Sequence, residues 1–428
     1  MENVKMVDLI RLGKQDWAVI SPNKIQFLKD AGRAEVENII KEEQSSLAGA
    51  GLSTNVIQSQ SFPSKVGLTL LPTFDCNLRC VYCYSKGGDN KAYMSKGLAK
   101  FAIDSITDHF EDKYLNLYFA GGGEPFLNFE TMCFALDYSK SIFQHVNIGI
   151  VTNGTFSNEH LEWIAEHNIS VRISFDGLAH DHQRPSLSPK GSRFIVENNI
   201  KKLVSLENSL TVQCIVTSDS VMQMADNVQY FADLGVESLK IEPVHMSEVS
   251  RGDSNLVPKP KVYVDQFIKM LRHIVENKLS IKIDTQYISR PTVGNYCGIS
   301  EDNLIVTPEG FVTACVEVCR TTDPHSDSVL YGKLSSRDGG FSFNNEARQK
   351  LKKLHFQEYS DCPRCSLKLV CKGSCPMKGI WEHGFNLKAS SINCLTEKLL
   401  LPRLFCLMME DPQYSEIIFD SFDIEQLC

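Results

Sequence analysis

Between residues 65 and 245 short apolar runs alternate with stretches of helical periodicity. Six runs predict strands: Val66–Leu71, Tyr114–Ala120, Val146–Thr152, Ser170–Ser174, Thr211–Val216 and Leu239–Glu242. Between them lie MSKGLAKFAIDSITDHF, FETMCFALDYSKSIF, NEHLEWIAEHN, RFIVENNIKKLVSL and NVQYFADLG, whose apolar residues recur at helix spacing. Strand–helix alternation predicts an α/β fold with a parallel sheet. Six such units make a partial (β/α)6 barrel, an incomplete relative of the eight-stranded form, with ligands expected at the C-terminal ends of the strands.

The flanks read differently. In residues 1–64, WAVISPNKIQFL predicts a short hairpin and AEVENIIKEEQ a helix, while SSLAGAGLSTNVIQSQSFPS has the small, polar composition of a linker. The segment is expected to cap the barrel or to recognise a peptide. The barrel is expected over 65–250, a helical linker over 251–290, a cysteine-rich domain over 291–400 and a helical tail over 401–428. A chain of 428 residues, 43% apolar and 22% charged, can build and cover a sizeable core. Its net charge of −8 offers no general basic footprint for nucleic acid. The N-terminus lacks a signal-peptide pattern, and no apolar run reaches membrane-span length, so neither nucleic acid nor membrane is an expected partner. Fifteen cysteines in such a chain read as metal ligands in a reducing cytoplasm rather than as disulfides.

The chemistry starts at CNLRCVYC, where Cys76, Cys80 and Cys83 offer three thiolates from one loop. Three soft ligands on a [4Fe–4S] cubane leave one iron open for a substrate or cofactor. Zinc, the alternative metal, wants four closed ligands, and no fourth Cys or His lies near in sequence. Tyr82 puts an aromatic ring where it could face a bound base. The strand Tyr114–Ala120 runs into Gly121-Gly122-Gly123-Glu124-Pro125; glycines permit close backbone approach, and a carboxylate can accept from an ammonium group. Two further strands end at Thr152-Asn153-Gly154-Thr155 and Ser174-Phe175-Asp176-Gly177, and Arg184 follows in HDHQRP.

CNLRCVYC resembles the signature of radical S-adenosylmethionine (SAM) enzymes, and GGEP at Gly122–Pro125 resembles that family's second motif. The resemblance implies that SAM chelates the open iron and is cleaved to a 5′-deoxyadenosyl radical. By position it implies that Gly122, Gly123 and Glu124 hold the SAM amino group. It also implies that Asn153, Ser174 and Asp176 lie along the ribose and methionine, with Arg184 a partner for the carboxylate. A one-electron donor such as flavodoxin or ferredoxin is implied as a partner.

A second constellation, C-x₁₂-G-x₄-C from Cys297 to Cys315 followed by C-x₂-C-x₅-C-x₃-C and a final Cys, is similar to the SPASM extension. That extension carries two auxiliary [4Fe–4S] clusters, making three in all. The resemblance implies Cys297, Cys315 and Cys375 for the first, and Cys362, Cys365, Cys371 and Cys394 for the second. A fourth ligand to the first cluster falls at Pro291 by position, so either Cys319 completes it or an iron stays open. A double zinc ribbon is the alternative for these cysteines. Cys133 and Cys406, in apolar stretches, read as buried free thiols.

The resemblance implies a modified peptide or protein. A precursor-peptide maturase that installs a thioether or carbon–carbon crosslink is expected. The alternatives are a sulfatase-maturing enzyme, oxidation of a small molecule, or a non-enzymatic iron–sulfur carrier or zinc scaffold. The sulfatase-maturing group carries Asp directly after the cysteine matching Cys315; here Val316 stands there. Glu317 and Glu242 are candidate general bases.

Overall fold

The computed structural model describes residues 6–22, 24–49, 65–109, 114–248, 250–288, 291–292, 294–335, 339–418 and 424–427. The expected hairpin forms as β2 (Trp17–Ser21) and β3 (Lys24–Leu28), after β1 (Asp8–Arg11). All three pair antiparallel, with Leu9 opposite Val19 and Trp17 opposite Leu28. The helix Arg33–Gly49 follows and absorbs the start of the expected linker; residues 50–64, the rest of it, lie outside the described residues.

Strands β4 (Lys65–Leu70), β5 (Tyr114–Phe119), β6 (His145–Thr152), β7 (Ser170–Ser174), β8 (Leu210–Val216) and β9 (Ser238–Pro243) match the six predicted runs to within a residue or so. Each pairs parallel with the next, for example Leu68 with Leu117, Leu117 with Ile148 and Val171 with Leu210. In β5 the alternation is plain: Leu115, Leu117 and Phe119 are buried, whereas Tyr118 is 47% exposed. Parallel pairing sets every strand's C-terminal end on one edge, which gathers the sequence motifs.

The helix Pro260–Glu276 turns one apolar face inward, with Tyr263, Phe267, Met270, Leu271 and Ile274 buried at helical spacing. It accounts for the helical part of the expected 251–290 linker; β10 (Lys282–Asp284) follows. Strands β11 (Leu304–Val306), β12 (Phe311–Thr313), β13 (Leu330–Ser335) and β14 (Gly340–Phe343) come next. β11 lies parallel to β4, with Ile305 opposite Thr69, and β12, β13 and β14 extend the sheet antiparallel. The long helix Ser391–Glu410 runs through the boundary expected at 400, and a short helix spans Gln413–Ile418. The tail then leaves helical form: β15 (Ile424–Leu427) pairs parallel with β3.

The chain divides into two compact units. One comprises Met1–Gln60, Lys259–Cys297 and Lys353–Cys428; the other comprises Ser61–Pro258 and Gly298–Lys352. Residues 298–352 therefore belong with the barrel strands rather than with the cysteines after 353, because β11 takes the open edge of β4. In the first unit, Val7, Val19, Leu28, Ala31 and Val36 form a small core, and Asp8 makes a buried ion pair with Lys368. Among the described residues no helix is long and apolar enough to cross a membrane.

Candidate functional site

The CNLRCVYC loop leaves the end of β4 and is held by backbone bonds. Arg79 N donates to Pro185 O (2.7 Å) and Val81 N to Gln183 O (2.9 Å), so the loop is sewn to the segment after β7. Arg79 turns its guanidinium back onto the carbonyls of Cys76 (2.7 Å) and Leu78 (2.9 Å). Backbone N–H groups approach two of the sulfurs: Leu78 N to Cys76 Sγ (3.5 Å) and Gly87 N to Cys83 Sγ (3.4 Å). Burial pushes the Cys76 thiol up to about 12, and the nearby Glu124, Cys80 and Cys83 push the same way. Burial likewise takes Cys80 to about 11, against the pull of Arg184. Thiols this reluctant to ionise become thiolates readily only against a cationic centre.

The glycines after β5 are fitted to this loop. Gly122 has φ +70°, and a Cβ there would stand 2.7 Å from Phe74 Cδ1. A Cβ on Gly123 would lie 1.9 Å from the Asp75 carbonyl oxygen, so glycine alone fits. Glu124 is buried, and its carboxylate accepts from Thr152 Oγ1 (2.7 Å), Asn153 N (2.7 Å) and Phe126 N (3.2 Å). Burial raises its carboxyl to about 7 despite these bonds.

Asn153, after β6, donates from Nδ2 to Asn77 Oδ1 (2.7 Å) and points that nitrogen at Cys76 Sγ (4.0 Å). Asp176, after β7, is the hub of the site. Its carboxylate accepts from Tyr82 Oη (2.5 Å), Gln183 Nε2 (2.9 Å), Ile215 N (2.9 Å), and Arg184 Nε (3.0 Å) and Nη2 (3.2 Å). Burial acts to raise the Asp176 carboxyl, but the Arg184 charge and these bonds hold it below the ordinary carboxylate range. Arg184 in turn reaches Cys80 Sγ with Nη1 (4.0 Å) and lies 5.4 Å from the centre of the Tyr82 ring. The sequence suggests Tyr82 facing a base and Asp176 facing a ligand; the structure commits the tyrosine hydroxyl and both carboxylate oxygens to one buried network. Ser174 closes β7 beside it, paired in register with Gln213.

The segment after Cys315 packs on the same motifs, within the same unit. A Cβ on Gly121 would lie 3.2 Å from Val316 Cβ. Cys319 is buried in an apolar cluster with Leu71, Phe74 and Ile305, and its thiol donates to Val316 O (2.8 Å). Burial raises that thiol far above its ordinary value. A donor engaged this way is a packing group, so Cys319→Ala is expected to leave iron per chain unchanged after reconstitution while costing about 1–2 kcal/mol in urea unfolding. A loss of iron would make it a ligand. Of the candidate bases, Glu242 pairs with Lys240 Nζ (3.1 Å) and accepts from Gln213 Nε2 (3.3 Å), and Glu317 lies half-buried in the turn after Cys315.

Residues 70–219, which hold the triad, GGGEP, Asn153, Asp176 and Arg184, match the radical SAM superfamily. The chain carries a radical SAM domain. This superfamily uses SAM and a [4Fe–4S] cluster, and the donor set fits both: three unbridged thiols on one loop, with buried polar groups around them. Among the described residues no three His, Cys, Asp or Glu side chains converge on a single ion; a cubane spreads its thiolates over separate irons. The chain is 24% identical over 361 residues to the antilisterial bacteriocin subtilosin biosynthesis protein AlbA of Bacillus subtilis, covering 82% of this chain and 77% of that one. It is 24% identical over 326 residues to the tungsten-containing aldehyde ferredoxin oxidoreductase cofactor-modifying protein of Pyrococcus furiosus, covering 70% and 86%. Its fold is shared with native anSMEcpe solved with AdoMet and the Cp18Cys peptide, at TM-score 0.65 and 18% identity over 82% of this chain and 99% of that one.

Beyond the radical SAM domain, the first unit brings four C-terminal cysteines together. Burial raises Cys362 to about 12, and Cys365, Cys394 and Glu397 add to it by charge. Cys371 is raised well above its ordinary value, by burial first and then by Glu397 and Cys362. Cys375 and Cys297 both lie near the Tyr359 ring in this unit; Cys315, their expected partner, is in the other. Sequence reasoning missed Glu397, 1% exposed beside Cys371, although it follows Cys394 by one helical turn. It also missed Ser85 and Arg320, which only the folded loops bring together. Cys133 and Cys406 are half-buried rather than enclosed.

Proposed function

We propose that this chain is a peptide maturase that uses the 5′-deoxyadenosyl radical to take hydrogen from a ribosomally made precursor and install a thioether or carbon–carbon crosslink. When bound, SAM and its cluster supply that radical; the residues here bind, orient and enclose them. Gly122, Gly123 and Glu124 would hold the amino group, Arg184 the carboxylate, and Asn153 and Ser174 the ribose side, with Asp176 fixing Arg184 from behind. Carrying this reading is the contact of Val316 with Gly121, which sets Cys315 one residue from the SAM motif. An auxiliary cluster ligated at Cys315 would stand close enough to take the substrate's leftover electron or its sulfur. With Cys319 buried in packing, an iron of that cluster would stay open for a substrate thiolate. Cys362, Cys365, Cys371 and Cys394 would hold the second auxiliary cluster.

Val316 in place of an aspartate disfavours sulfatase maturation. The same chemistry on a small molecule is the second reading, favoured by the relation to the cofactor-modifying protein of Pyrococcus furiosus. The test is anaerobic incubation of reconstituted protein with SAM, a one-electron reductant and each short peptide that a neighbouring reading frame encodes. A peptide lighter by two hydrogen atoms, with matching 5′-deoxyadenosine, is expected. Deoxyadenosine formed over an unchanged or heavier peptide would overturn the crosslinking reading.

A further inference from the structure

We propose that Arg320 is a positioning residue that ties the Cys315–Cys319 segment to the SAM site through Ser85. Its guanidinium stands 4.6 Å from the centre of the Phe74 ring, two residues before Cys76, and its Nη2 donates to Ser85 O (2.8 Å), two residues after Cys83. Ser85 is itself buried and joins two functional elements. Its hydroxyl donates to Gly122 O (2.5 Å) and lies 3.4 Å from Cys83 Sγ. One side chain thus grips both shoulders of the cysteine loop, and through Ser85 it fixes a carbonyl of the glycine motif.

Arg320 is equally fixed from its own side. The backbone N–H groups of Cys319 (2.9 Å) and Arg320 (2.8 Å) both donate to Asp323 Oδ2, and Thr313 Oγ1 donates to Val318 O (2.6 Å). Arg320 Nε is buried without a partner. The Ser85 bond is therefore a main tether of a half-buried cation, made through a charge-assisted hydrogen bond. Whatever settles the segment that follows Cys315, metal ligation included, is felt at Ser85 and Gly122. The consequence is a SAM pocket that reaches full affinity only when this segment is in place.

This rests on the radical SAM site but not on the peptide substrate. The test compares full-length wild type, Arg320→Ala, Arg320→Lys, Ser85→Ala and the Arg320→Ala/Ser85→Ala double variant after anaerobic reconstitution. The readouts are iron per chain, SAM dissociation constant, and the paramagnetic signal of the reduced cluster with and without SAM. Arg320→Ala is expected to keep its iron, weaken SAM about tenfold and blunt the SAM-induced change in the signal, with Arg320→Lys in between. Because Ser85 carries the effect, the double variant is expected to be no weaker than the worse single one. Wild-type SAM affinity and signal in Arg320→Ala, or independent addition of the two losses, would overturn the proposal. Should Arg320→Ala fail to fold, the Arg320→Lys and Ser85→Ala variants still decide it: unaltered SAM affinity in both is a refutation. A wild type without any SAM-dependent signal would instead sink the reading of the site itself.

Discussion

Changing Cys76, Cys80 and Cys83 together to alanine is expected to remove one cubane, about four irons per chain, and to abolish 5′-deoxyadenosine formation. On the proposal that Cys362, Cys365, Cys371 and Cys394 hold an auxiliary cluster, its iron should persist, since these cysteines belong to the other unit. The effect is large because all three thiols of the loop are removed at once. Asn153 and Arg184 reach the sulfurs only as hydrogen-bond donors. Burial raises Cys76 and Cys80 to about 12 and 11, so a bound cluster's charge would be what makes them thiolates at neutral pH. Iron and sulfide assays and product analysis check this. Deoxyadenosine release by the triple variant would refute the assignment of the triad.

Asp176→Asn is expected to cost about 3–5 kcal/mol in urea unfolding at pH 7, because it leaves the Arg184 charge buried and unpaired. Five donor contacts converge on that carboxylate, and an amide cannot accept them all. The pH dependence has a definite sign. A carboxyl held below its unfolded value stabilises the fold at pH above that value, about 4, and this stabilisation is lost as pH falls through the lower folded value. The gap between wild type and Asp176→Asn should thus be full at pH 7 and close only in strong acid. The variant should also weaken SAM, since Arg184 loses the anchor that aims it along the cluster loop. A loss under about 1 kcal/mol at pH 7 would show that Arg184 is not left as a buried, unpaired charge when Asp176 is neutralised.

Much of the fold was legible because the parallel strands carry long apolar runs, and because each motif sits where a run stops. Val66–Leu71 and Ser170–Ser174 could be placed from pattern alone. Strands β11 and β12 could not: three residues each, they acquire meaning only from partners such as Leu68, far away in the chain. The tail shows the same limit, since Ile424–Leu427 is extended by pairing with Ile25–Leu28 rather than by its own propensity. At the site, spacing revealed the thiols and the glycine motif, as ligand identity is local. It could not reveal that Asp176 gathers Tyr82, Gln183, Arg184 and Ile215, or that Arg320 meets Ser85. Those pairings depend on which loops share one sheet edge.

The parallel seat of Leu304–Val306 against Leu68–Leu70 also bears on the order of events during synthesis. The strand that launches the cysteine loop has one flank covered early, by Tyr114–Phe119, while its other flank stays bare for more than two hundred residues of further translation. Exposed strand flanks invite pairing with other chains. A ribosome that stalls before residue 304 would leave a half-sheltered barrel prone to aggregate.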